Sequence, residues 1–133
     1  MIDRLCLDTS AYSAFKRGAD SVREALARAE RIVLPPIVLG ELLGGFRAGG
    51  RETRNREELD RFLASPRVDV VAVDEETAER YGEVFAYLKA AGTPIPTNDI
   101  WIAATAMQWG LRVHTTDPHF ERVPQVLVER HSV

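Results

Sequence analysis

Short apolar runs alternate along the chain with longer stretches of helical periodicity. Ile2, Leu5, Cys6 and Leu7 form a run too short for a helix, and Asp8 closes it. This predicts a buried strand that ends on a carboxylate. Thr9-Ser10 can then turn the chain and cap a following helix. Val22, Ala25, Leu26 and Ala29 fall on one stripe with Arg23, Glu24 and Arg28 outside it, so Asp20–Ala29 reads as a helix. Ile32-Val33-Leu34 is a second strand, closed by Pro35-Pro36, and Pro36 suits the first turn of the next helix.

That next helix has an unusual face. From Leu34 to Phe46 the one polar side chain is Glu41. Leu39, Leu42, Leu43 and Phe46 make an apolar stripe, and Glu41 points roughly opposite, among Ile37, Val38, Gly44 and Gly45. A helix apolar all round is normally buried, and a buried carboxylate needs a partner. Glu41 therefore has a role in a site, an arginine partner elsewhere, or a narrow strip of water; the first is the reading adopted. Arg51–Ala64 is a further helix, anchored by Leu59, Phe62 and Leu63.

Val68–Val73 is dense in β-branched residues and reads as a third strand. Asp74 caps the helix after it, Glu75 and Glu76 suit its positive end, and Gly92 ends it. Its buried stripe is Tyr81, Val84, Phe85 and Leu88. The stretch from Thr93 to Asp99, with Pro94 and Pro96, is a rigid loop leading into a helix that carries Asp99 in its first turn. There Asp99 can simply favour the helix dipole. Trp101 and Trp109 read as packing residues. Leu111–His114 is a fourth strand followed by Thr115-Thr116-Asp117, Pro118 breaks any helix there, and Val126–Val128 is a fifth strand. Strands alternating with helices imply an α/β fold of three layers: a central parallel sheet of about five short strands with helices on both faces. A single domain is expected over residues 1–133.

Composition changes this picture little. The 133 residues are 45% apolar and 28% charged, as in an ordinary globular domain. No apolar run reaches the length of a membrane span, and the opening Met1-Ile2-Asp3-Arg4 lacks a signal-peptide core. Cys6 is the one cysteine, which excludes an internal disulfide and a Cys-rich zinc site; in a strand it reads as a small core residue. A reducing cytoplasm is the expected location. The net charge of −3 argues against a wholly basic nucleic-acid binder and leaves room for a local basic patch.

The acids carry the chemistry. Ligands in open α/β sheets bind outside the carboxyl ends of strands. Asp8 and Asp117 sit at two such ends, and Glu41 and Asp99 lie on helices that can face the same edge. Asp8 alone reads first as a helix cap, and it is the other three acids that turn the reading toward chemistry. Four carboxylates at one edge repel one another, and Mg²⁺ or Mn²⁺ compensates because hard cations take carboxylate oxygens and keep several waters. Such a cluster suits phosphodiester hydrolysis, with one metal lowering the pKa of a water and a second stabilising the leaving oxygen. His114, His119 and His131 have no zinc-ligand spacing and read as surface or packing residues. No Ser-His-Asp arrangement and no Gly-rich phosphate loop ending in Lys-Ser/Thr is present.

Leu7-Asp8-Thr9-Ser10, Gly40-Glu41-Leu42, the run from Asn98 to Ala104, and the run from Thr115 to Phe120 together resemble a PIN-domain ribonuclease, more narrowly the VapC toxin of toxin–antitoxin pairs. The pieces stand in family order and span nearly the whole chain. The resemblance implies that Asp8, Glu41, Asp99 and Asp117 bind the metal, with a PIN-like fold around them. It also implies Mg²⁺- or Mn²⁺-dependent endonucleolytic cleavage of RNA, a homodimer, and a small VapB-like antitoxin that blocks the site. Thr9, Ser10, Asn98 and Thr116 match positions beside the acids, where they can orient them.

RNA requires cationic contacts. Lys16, Arg17 and Arg47 are the candidates, whereas Glu52–Arg56, Arg54–Glu58 and Glu57–Arg61 are spaced for solvated ion pairs along one helix. Three rival readings use the same acids. A haloacid-dehalogenase-like phosphatase with Asp8 as nucleophile wants an Asp two residues on, where Ser10 stands. A response-regulator receiver wants adjacent acids and a late Lys that are not found. A non-catalytic acidic pocket would capture an Arg-bearing partner.

Overall fold

The computed structural model describes residues 3–133, so Ile2 of the first apolar run lies outside the described residues. The elements are β1 (Arg4–Leu7), α1 (Thr9–Lys16), α2 (Asp20–Arg28), β2 (Arg31–Leu34), α3 (Pro36–Ala48), α4 (Glu52–Leu63), β3 (Val68–Val70), α5 (Glu75–Ala91), α6 (Thr97–Trp109), β4 (Arg112–Thr115), a 3₁₀ turn (Pro118–Arg122) and β5 (Leu127–Arg130). All the strands are parallel, in the order β3-β2-β1-β4-β5. Successive strand residues point to opposite faces. Leu5, Cys6 and Leu7 are all fully buried, so helices cover β1 on both sides, as the α/β reading requires.

The strand order locates the crevice. From β1 the chain builds outward through β2 to β3, then returns to add β4 on the other side of β1. Such a reversal leaves a gap outside the carboxyl ends of the two strands that flank it. Those ends carry Asp8 and the Thr115–Asp117 segment. Cys6 pairs with Val33 and Val113 in the ladder and is buried, and burial pushes its thiol pKa up, as for an inert core residue.

Several boundaries differ from the sequence expectation for identifiable reasons. β3 spans three residues rather than Val68–Val73, because it is the edge strand and pairs with β2 alone. In α5, Val84 and Leu88 are buried but Phe85 is half-exposed. Thr77 takes a buried place instead, locked into a capping box with Asp74 and bonded to Gln108 of α6. Trp101 packs on Tyr81 with ring centres 4.3 Å apart, whereas Trp109 is exposed at the end of α6. Pro118 starts a 3₁₀ turn rather than breaking the chain, since a first-turn residue needs no N–H donor. β4 ends on Thr115, one residue later than Leu111–His114 predicts, and that residue proves consequential below. Among the described residues no helix is long and apolar enough to cross a membrane.

Two buried histidines fasten the last residues to the sheet. His131 N donates to Thr115 O at 2.8 Å, the His131 Nε2 and His114 Nδ1 atoms lie 2.8 Å apart, and His131 Nδ1 lies 2.9 Å from Ser21 Oγ on α2. Burial pushes the His114 pKa from 6.5 down to about 4; His131 adds to the fall, while Glu129 and Asp3 oppose it. The unfolded chain therefore takes up a proton that the fold refuses. Stability is complete above the unfolded value of 6.5 and is lost as pH falls toward 4, by about 3 kcal/mol in all. Replacing His114 with Gln should flatten the stability profile between pH 7 and 4.5 by about 2 kcal/mol relative to the parent. Urea midpoints at the two pH values check this; parallel profiles would show that His114 is not the group responsible.

Candidate active site

Asp8 is placed by helix formation. It is the N-cap of α1, and its Oδ1 accepts the Ala11 N–H at 2.8 Å. Ser10 Oγ donates to the same oxygen at 2.8 Å, and Thr115 Oγ1 donates to Oδ2 at 2.6 Å. The cap reading holds, and the same carboxylate that starts the helix also faces β4. Asp8 is only 3% exposed. Burial pushes its pKa up, the Thr115, Ala11 and Ser10 donors pull it back, and the charge of Asp99 raises it again.

Asp99 stands in the first turn of α6 and Asp117 at the mouth of β4. His119 lies between them, its Nδ1 2.8 Å from Asp99 Oδ2 and 3.0 Å from Asp117 Oδ1. These three side chains offer ligand atoms that all lie within 4.8 Å of one another. Burial raises the Asp99 pKa, His119 opposes the rise, and the charges of Asp117 and Glu41 add to it. Asp117 also caps the 3₁₀ turn, accepting the His119 N–H at 3.4 Å.

Glu41 corrects the expectation for its helix. Only Val38 and Leu42 of α3 are buried, so the helix is not apolar-packed all round, and Glu41 is exposed. It nevertheless faces the acids. Thr9 Oγ1 donates to Glu41 Oε1 at 2.6 Å, and Asn98 Nδ2 donates to Oε2 at 3.4 Å. Asp8 and Glu41 fall outside the 4.8 Å group but couple electrostatically to Asp99. A divalent cation fits this donor set: several carboxylate oxygens and one imidazole, partly open to water, with a net negative charge to neutralise.

The neighbouring residues sort differently from expectation. Thr9, Ser10 and Asn98 each bond a site carboxylate. Thr116 offers its backbone N–H to Ser10 Oγ at 3.0 Å, and it is Thr115 whose hydroxyl reaches Asp8. His119, read from sequence as a surface or packing residue, lies in the cluster. The signal for both missed residues is present in the run from Thr115 to Phe120: a hydroxyl two residues before Asp117 and an imidazole two residues after it. Of the candidate RNA contacts, Lys16 pairs with Glu58 at 2.8 Å and Arg47 with Glu52 at 3.3 Å. Arg17 makes no ion pair among the described residues, and α1 carries it about 13.5 Å along the helix from Asp8. On α4 the Arg54–Glu58 pair forms at 3.3 Å, while Arg56 turns to Asp60 at 3.1 Å.

The hydroxyl of Thr115 also accepts the Asp117 N–H at 2.9 Å. Thr115→Val keeps the shape and removes both bonds, leaving a buried carboxylate short of a donor. The expected loss is about 2 kcal/mol at pH 7, against less than about 0.5 kcal/mol for Thr116→Val. Chemical denaturation of the two variants decides it; equal, small effects would show that Thr115 does not hold Asp8.

Comparison with known proteins gives a consistent result. The PIN domain family matches residues 5–126. Ribonuclease VapC4 of Mycobacterium tuberculosis is 36% identical over 93 residues, covering 69% of this chain and 71% of that protein. The tRNA(fMet)-specific endonuclease VapC of Salmonella typhimurium is 30% identical over 129 residues, 95% of this chain and 96% of that one. Among solved structures, VapBC2 from Rickettsia felis bound to a DNA fragment from its promoter superposes with a TM-score of 0.85 at 28% identity, over 97% of this chain and 99% of that one. DNA-bound VapBC from Salmonella typhimurium gives 0.84 at 29% identity, over 98% of each chain. The chain belongs to the PIN-domain family, as a VapC-type member.

Proposed function

We propose that this chain is a Mg²⁺- or Mn²⁺-dependent endoribonuclease and the toxin of a type II toxin–antitoxin pair. The observation that carries the reading is the gathering of Asp99, Asp117 and His119 within 4.8 Å, beside Asp8 and Glu41, at the strand-order reversal of a VapC-type fold. Asp8, Glu41, Asp99 and Asp117 are the acids that would hold the cation. When bound, a divalent cation supplies Lewis acidity, lowering the pKa of a water to give hydroxide near neutral pH and offsetting phosphate charge.

The chain's own groups do the positioning. Thr9 and Asn98 orient Glu41 toward the crevice, while Ser10 and Thr115 fix the rotamer of Asp8. His119 Nδ1 is engaged by two carboxylates, which leaves Nε2 as the ring's other proton acceptor, so the chemistry of the RNA ends decides between attack by water and attack by the 2′-hydroxyl. Arg17 is the first cation to test for RNA contact, since Glu58 and Glu52 already draw on Lys16 and Arg47.

The same acidic mouth is a receptor for guanidinium, which binds carboxylates bidentately. A small VapB-like antitoxin that inserts an arginine there would block the site. The active form is proposed to be a homodimer. Antitoxin-free protein should cut single-stranded or looped RNA with Mg²⁺ or Mn²⁺, leaving 5′-phosphate and 3′-hydroxyl ends. End mapping and a chelator control test this. Cleavage that persists in EDTA, or cyclic-phosphate ends, would sink the mechanism.

A further inference from the structure

We propose that His119 Nδ1 is itself a ligand of the divalent cation, shared with Asp99 and Asp117, and that this nitrogen biases the site toward transition-metal ions over Mg²⁺. The inference rests on the metal-dependent reading above and adds a ligand that an all-carboxylate set lacks.

Three observations support it. First, Nδ1 lies 2.8 Å from Asp99 Oδ2 and 3.0 Å from Asp117 Oδ1. Adjacent donors in an octahedron with bonds of about 2.1 Å stand about 3 Å apart. Both nitrogen–oxygen distances are thus those of neighbouring ligands around one ion, and the two carboxylates offer atoms within 4.8 Å of each other. Second, a single Nδ1–H cannot point well at both oxygens at once, whereas a cation between the three atoms satisfies all of them. The ring then carries its hydrogen on Nε2 and presents the Nδ1 lone pair. Third, His119 is held where it is. Pro118 and the Asp117 cap set the 3₁₀ turn, and the fully buried Phe120 anchors the next residue. The imidazole itself is 31% exposed, which leaves a route for hydrated ions.

The consequence is metal choice. Mg²⁺ prefers oxygen donors and dehydrates reluctantly, while imidazole suits first-row transition metals. An imidazole in the set should therefore favour Mn²⁺ over Mg²⁺ relative to the same acids alone.

The test uses Mn²⁺ and Mg²⁺ with no RNA present. Pulsed EPR on Mn²⁺-loaded wild type, prepared with ordinary and with ¹⁵N-imidazole histidine, should show a nitrogen coupling that changes with the isotope. That coupling should disappear in His119→Asn. Calorimetric titration should show the Mn²⁺-over-Mg²⁺ preference falling about tenfold in His119→Asn. Mn²⁺ bound to wild type without an isotope-sensitive coupling overturns nitrogen ligation and leaves the carboxylate site standing. An unchanged preference in the variant has the same meaning. Failure of wild type to bind Mn²⁺ at all overturns this inference and the metal-dependent reading together. The isotope comparison tests for an imidazole ligand without any variant, and loss of the coupling in His119→Asn, with His114 and His131 unchanged, assigns it to His119.

Discussion

The contact on which the rest of the site depends is the 2.6 Å bond from Thr115 Oγ1 to Asp8 Oδ2. It joins the ends of the two strands that flank the reversal in strand order. The backbone agrees, with Asp8 N donating to His114 O at 3.2 Å as the last rung between β1 and β4. Once Asp8 is fixed, α1 starts from it, and Thr9 is placed to hold Glu41. Once Thr115 is fixed, its hydroxyl takes the Asp117 N–H and sets the turn that presents Asp117 and His119 to Asp99. One pair of side chains thereby registers α1, α3, α6 and the 3₁₀ turn around a common point.

The arrangement works against the stability of the fold. At an effective dielectric of about 20, two unit charges about 4 Å apart interact by about 4 kcal/mol. Asp99 and Asp117 offer atoms within 4.8 Å of each other, with Asp8 and Glu41 close enough to be felt. A charge-assisted hydrogen bond returns about 1.5–3 kcal/mol. Asp8 receives such bonds from Ser10, Ala11 and Thr115; Asp99 has His119 alone among the described residues. The direction of their pKa values follows from this: burial raises both, and the donors only partly restore them. A bound cation would remove the deficit, which is the physical argument for the proposed metal site. Asp74 shows the contrast. It caps α5 in water, and its backbone and side-chain donors hold its pKa below the usual carboxylate value.

The sequence made the architecture legible because its signals are local and redundant. Short β-branched or apolar runs, proline breaks and the Asp74 and Gly92 caps each point the same way. Asp8, Asp99 and Asp117 were legible as strand-end and first-turn acids. Glu41 stands out in the sequence because its helix looks uniformly apolar, but the structure favours the alternative of an exposed strip, since that face of α3 is open and lies beside the crevice. Thr115 and His119 were missed because their roles depend on register. Ending β4 one residue early turns the Asp8 partner into a loop residue. Reading His114 and His119 as a pair ignores that a 3₁₀ turn can begin at Pro118 and bring His119 back beside Asp117. The exposure of Phe85 and Trp109 also could not be read from periodicity, which fixes a stripe but not how much of it a neighbouring helix covers.

The most direct measurement of the central claim is a melting series with and without Mn²⁺ on the parent protein and on Asp8→Asn, Glu41→Gln, Asp99→Asn and Asp117→Asn. Mn²⁺ at about ten times its Kd should stabilise the parent by about 1.4 kcal/mol, a rise of about 4–6 °C. Asp99→Asn, which relieves repulsion at constant shape, should melt as high as the parent or higher without metal, and should gain less from it. The other amide variants should likewise show a smaller rise with Mn²⁺. If instead every variant melts lower without metal, as the loss of a cap by about 1 kcal/mol requires, and each responds to Mn²⁺ as the parent does, the acids are separate structural caps and the metal site is wrong.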